Sequence, residues 1–76
     1  MLPWPLKDKE RSLAYYREFA ATEFFVDNAE AWVFMAELLR DIGGKENKAE
    51  AQSLLEKAAA SEDVYYSGWA QRLLSK

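Results

Sequence analysis

The stretch Ala31-Trp32-Val33-Phe34-Met35-Ala36-Glu37-Leu38-Leu39, running on to Ile42-Gly43-Gly44, decides how this chain folds. Trp32, Met35, Ala36 and Leu39 stand at offsets zero, three, four and seven, which lines one face of an α-helix. Gly43-Gly44 ends that helix, because glycine closes a helix in the left-handed region without steric cost. At least one of the pair should therefore have a positive φ. At the other end Asp27 begins a capping box: its carboxylate accepts from the amide three residues on, and Glu30 reaches back. The spacing predicts a helix over roughly 28–42.

The same spacing returns 34 residues later. Tyr66, Trp69, Ala70 and Leu73 repeat the order large, large, small, large at the same offsets. Two further stripes flank them. Leu6, Leu13, Tyr16, Ala20 and Phe24 predict a first helix over roughly 6–25, with Pro5 at its first turn. Ala51, Leu54, Leu55 and Ala58, behind an Asn47-x-x-Glu50 box, predict a third over roughly 47–60. Ser61 caps the fourth, roughly 62–75, with Glu62 and Asp63 near the positive end of its dipole. The expected fold is all-α: one domain of four helices on short links, packed as antiparallel neighbours. Alanines at 36, 51, 58 and 70 let helix axes approach, and Trp32, Met35, Leu39 and Leu55 fill the space beside them.

These residues resemble the tetratricopeptide repeat. Trp32, Met35, Ala36 and Leu39 match the motif of that family's first helix, and Ala51, Leu55 and Ala58 match its second. Two features look more like the related Sel1-type repeat: a long link from Gly43 to Lys48 and the ending Leu54-Leu55-Glu56-Lys57-Ala58-Ala59. The proline usual after the second helix is replaced by Ser61-Glu62-Asp63. One repeat, roughly 29–60, is complete; the first helix resembles the end of a preceding repeat and the last the start of a following one. The resemblance implies a right-handed helical stack that binds proteins as a scaffold or adaptor. It places Val33, Glu37 and Arg40 in the concave groove that holds partner peptides. A clamp for a partner's terminal carboxylate would need Lys, Asn and Arg there, so Val33 and Glu37 do not fit one.

Composition narrows the function. Of the 76 residues, 50% are hydrophobic and eleven are aromatic, enough for a core in so short a chain. Without Cys or His the chain has no thiolate, no disulfide and none of the commonest metal ligand and general base. No paired-carboxylate or metal-loop spacing replaces them, and Gly43-Gly44 lacks the lysine-serine pair of a phosphate loop. Neither an enzyme, a metal nor a cofactor is expected. The net charge of −3 without a basic block argues against nucleic acid. No apolar run approaches membrane-spanning length, and the opening Met1–Lys7 carries no signal-peptide core, so a cytoplasmic protein is expected.

One surface feature remains. Tyr15, Phe19 and Val26 form a second apolar side on the first helix, away from its stripe. Either Leu2-Pro3-Trp4 folds back over it, or it meets another surface: a missing repeat, a partner, or a second copy of the chain in a homodimer. Tyr15, Phe19, Val26, Val33, Glu37 and Arg40 are thus the candidate partner-binding residues. The competing reading makes the chain a capping or structural fragment of a longer solenoid, since about three repeats are usually needed for stability.

Overall fold

Several helix ends are set by a side chain that competes for backbone hydrogen bonds, or by glycine. The computed structural model describes residues 6–75, with side chains from residue 8 onward. It contains α1 (Leu6–Ala20), a 3₁₀ turn (Glu23–Phe25), α2 (Ala29–Ile42), α3 (Lys45–Ala59) and α4 (Val64–Leu74), with no strand among the described residues. Leu2-Pro3-Trp4 and Pro5 lie outside the described residues.

The first helix is shorter than its stripe predicts. It ends at Ala20 because Thr22 turns back on it: the Thr22 amide and hydroxyl both donate to the Phe19 carbonyl, at 2.9 and 2.7 Å. Threonine hydroxyls offer the backbone this alternative to a continuing helix. Thr22 is extended (φ −97°, ψ 160°), and the chain re-enters as a single 3₁₀ turn. The break rotates the following rings. Phe24, expected on the inward stripe, is 68% exposed. Phe25 goes in instead, its ring edge-on to Phe19 at 6.1 Å and to Trp32 at 6.4 Å.

Three caps also shift from their expected positions. Asn28, not Asp27, caps α2, its Oδ1 accepting from the Ala31 amide at 3.0 Å. Glu30 is therefore released from a capping box. Asp63, not Ser61, caps α4 by accepting from the Tyr66 amide at 3.1 Å, while Ser61 Oγ accepts from the Asp63 amide at 3.0 Å. Asn47 caps nothing: α3 already begins at Lys45, and Asn47 Nδ2 donates to the Gly43 carbonyl at 2.9 Å. The link between α2 and α3 is thus Gly43-Gly44 alone, not a segment reaching Lys48. Both glycines have positive φ, 85° and 98°, as the sequence requires of at least one.

The core centres on α2, which packs against α1, α3 and α4, while α3 also packs on α4. Leu13, Trp32, Val33, Met35, Leu39 and Leu55 fill it. Ala36, Ala51, Ala58 and Ala70 are fully buried, so the small residues do stand where helices meet. Each buried Val, Leu or Met contributes roughly 1.5–3 kcal/mol relative to exposure. Trp32 is 6% exposed, whereas Trp69, expected inside, sits half-buried at the edge of the core.

Candidate partner-binding groove

With α2 sandwiched, one strip of it still reaches the surface. Glu30, Phe34, Glu37, Leu38 and Asp41 follow offsets zero, four, seven, eight and eleven, one side of a helix. This strip looks out between α1 and α4. Ser12 and Tyr16 of α1, Phe34, Glu37, Leu38 and Asp41 of α2, and Trp69 of α4 line a groove of about 360 Å³.

Its aromatic end is held in place by ring packing. Phe34 meets Trp69 edge-on at 5.7 Å and Tyr66 at 6.3 Å, and Tyr66 stacks on Trp69 at 5.9 Å. Tyr65 closes the group edge-on to Tyr66 at 4.8 Å and to Trp69 at 6.0 Å. Edge-to-face and offset-stacked pairs are the favoured geometries for such quadrupoles, so the rings hold one another in place.

The electrostatics of this side are acidic. Glu30 accepts a 2.5 Å hydrogen bond from the Tyr66 hydroxyl, which pushes the Tyr66 pKa up to about 12. Desolvation and the Glu30 charge act in the same direction. Burial raises the Tyr16 pKa, and the charge of Glu30 adds to it. Asp41 lies 3.9 Å from Lys9 Nζ with 60% of its side chain exposed. Arg40 is turned away, donating to the Leu73 carbonyl at 2.9 Å across the end of α4.

Two other hollows compare poorly. One of about 570 Å³, between Asp27, Trp32, Lys57 and Ser61–Asp63, has Lys57 Nζ seated 4.8 Å over the Trp32 ring. Another of about 350 Å³ is flanked by the two-pronged Arg17–Glu50 ion pair, at 2.9 and 3.0 Å. In both, a cation lies against a lining side chain: Lys57 against Trp32, and Arg17 against Glu50. Among the described residues no His, Cys, Asp and Glu cluster has the form of a metal site. No helix among them is long and apolar enough to cross a membrane.

The six candidate residues do not converge. Of Val33, Glu37 and Arg40, only Glu37 lines the groove. Val33 is fully buried in the core, and Arg40 is bound to the end of α4. The groove strip is displaced by one residue from the expected one, because α2 buries its Val33 side as well as its Trp32 side. Tyr15 and Val26 are exposed, at 66% and 61%, while Phe19 is half-buried against Phe25. They do not form one helix face, since Val26 lies beyond the break at Ala20. Ser12, Tyr16, Phe34, Leu38, Asp41 and Trp69 are the groove residues that the expectation missed. Their signal was present: Phe34 and Leu38 make a third apolar strip on a helix already apolar on two sides, the mark of a sandwiched helix. Comparison with family models, with curated proteins and with solved structures finds no match to this chain.

Proposed function

We propose that this protein is a non-catalytic interaction module of the tetratricopeptide kind, whose groove between α1 and α4 holds a segment of another protein. The observation that carries this reading is the groove itself: the packed rings of Phe34 and Trp69, with Tyr16 across from them, line it along the strip of the central helix. Apolar surface left exposed and rimmed by polar groups marks binding sites more often than structural leftovers.

Three contacts support a stack in which neighbours run antiparallel. Lys9 near the start of α1 meets Asp41 at the end of α2. Glu30 at the start of α2 meets Tyr66 at the start of α4, and Arg40 at the end of α2 meets Leu73 at the end of α4. These contacts support α2 running against α1 and along α4, and the strip of α2 that they leave open lies one residue round from the one the repeat resemblance implies. The two-residue link suits a tight tetratricopeptide hairpin and removes one reason for the Sel1 variant. A chain without cysteine suits a reducing compartment such as the cytoplasm.

The test is capture of partners by the intact chain against two variants. Leu38→Arg, which fills the groove with charge, should abolish capture, and Tyr15→Ser on the outer side of α1 should leave it unchanged. Capture that survives Leu38→Arg and fails with Tyr15→Ser would move the interaction surface to α1 and sink this reading.

A further inference from the structure

The 34-residue spacing makes α4 the counterpart of α2, and the two helices differ in what covers them. Ala31, Met35 and Leu39 run along α2 at steps of four and all are buried, on a helix against which both α1 and α3 pack. Their counterparts on α4 are Tyr65, Trp69 and Leu73. Tyr65 is 65% exposed, and Trp69 and Leu73 are only partly buried. With Arg72 they line a hollow of about 330 Å³, every lining residue coming from α4 itself. The strip runs for two turns, about 12 Å at roughly 1.5 Å per residue. Apolar surface that a sister helix buries is here left in contact with water.

The charges along this strip have an order. Glu62 and Asp63 stand at the start of α4 and Arg72 near its end. Asp63 is engaged with the Tyr66 amide as a cap, whereas neither Glu62 nor Arg72 has an ion-pair partner among the described residues. A strip that is acidic at one end, aromatic in the middle and basic at the other complements itself when a second copy runs antiparallel to it. We propose that this strip of α4 is the contact through which two copies of the chain pair about a twofold axis. In that pairing Trp69 of each copy lies beside Trp69 of the other, Tyr65 lies beside Leu73, and Arg72 reaches back towards the acidic start of the facing helix. The twofold makes each unlike contact twice. Tyr, Trp and Arg are also the side chains that dominate contacts between proteins, because they bury large area and keep a polar or charged end. One short helix a side lies at the small end of specific interfaces, so pairing is expected at roughly 10 μM or above. It does not depend on what the groove between α1 and α4 binds. Trp69 borders both surfaces, and the test leaves it in place.

The experiment is sedimentation equilibrium of the intact chain from micromolar to near-millimolar concentration, with circular dichroism to confirm that each variant is folded. The mass should rise from 8.8 kDa towards twice that value and stop there. Arg72→Glu and Tyr65→Ser should each weaken pairing about tenfold or more, since each change enters the interface twice. Glu62→Lys combined with Arg72→Glu re-forms the opposite charges in the reverse sense and should recover most of the loss, which a general weakening of α4 would not do. Tyr15→Ser, on α1, should leave pairing unchanged. A mass of 8.8 kDa at every concentration, or pairing indifferent to Arg72→Glu and Tyr65→Ser, would overturn the proposal. A mass that grows past two copies, or a double variant that fails to recover, would overturn the twofold antiparallel arrangement.

Discussion

Trp32 is the residue through which α2 meets both the 3₁₀ turn and α3, and its replacement measures the core most directly. Its ring is 6% exposed, its Nε1–H donates to the Phe25 carbonyl at 2.7 Å, and Lys57 Nζ lies 4.8 Å from its centroid. Trp32→Ala removes all three and leaves a cavity, at a cost of about 3–5 kcal/mol. A domain of this size has a total stability of roughly 4–11 kcal/mol, from about 0.05–0.15 kcal/mol per residue, so the loss is about a quarter of it or more. Trp32→Phe keeps most of the ring and deletes the donor. It should cost about 1–2 kcal/mol, one net hydrogen bond plus a modest volume change. Lys57→Ala removes only the contact over the ring face and should cost about 0.5–1 kcal/mol. Urea unfolding followed by circular dichroism gives all three values without relying on tryptophan emission. A loss below about 1 kcal/mol for Trp32→Ala, or a Lys57→Ala cost equal to it, would refute the placement of Trp32 at the centre of the core.

The glycines should respond in opposite directions. Gly43→Ala and Gly44→Ala meet no neighbouring atom within 4 Å, yet each forces a Cβ into positive φ and should destabilise by roughly 1–2 kcal/mol. Gly68→Ala, inside α4 and equally unobstructed, should stabilise by about 0.5–1 kcal/mol; thermal unfolding reads both signs. The Tyr66–Glu30 bond sets an alkaline limit. Its folded pKa of about 12 lies above the ordinary value of 10.0, so its stabilising effect is whole below pH 10 and is lost as pH rises through about 12. Absorbance titration of the tyrosines should show Tyr66 ionising late, and Glu30→Gln should bring that step down towards 10.

The helices were legible where a single periodic stripe met a strong terminator, as at Trp32, Met35, Ala36 and Leu39 before Gly43-Gly44. Helix ends were less so, because Asp27 and Asn28 are equally good caps and only packing selects between them. Ser61 and Asp63 pose the same ambiguity. The break at Thr22 was hidden by a stripe that continues through Phe24, since periodicity does not register a hydroxyl turning back to Phe19. The groove was missed for a different reason. A helix with apolar residues on three sides has no preferred outward direction in sequence, and the choice between Val33 and Phe34 is made by where α1 and α4 lie. Glu37, which borders both alternatives, was the one candidate that both readings share.

The central claim is that the strip Phe34, Glu37, Leu38 and Asp41, with Tyr16 and Trp69, is the surface a partner occupies. Amide and indole chemical-shift mapping of the intact chain, titrated with the binding segment of a captured partner, tests it most directly. The account predicts shifts concentrated at Tyr16, Phe34, Leu38, Asp41 and the Trp69 indole, with Tyr15, Phe24 and Val26 unmoved. Shifts centred on Tyr15, Phe24 and Val26, or in the hollow beside Trp32 and Lys57, would contradict it.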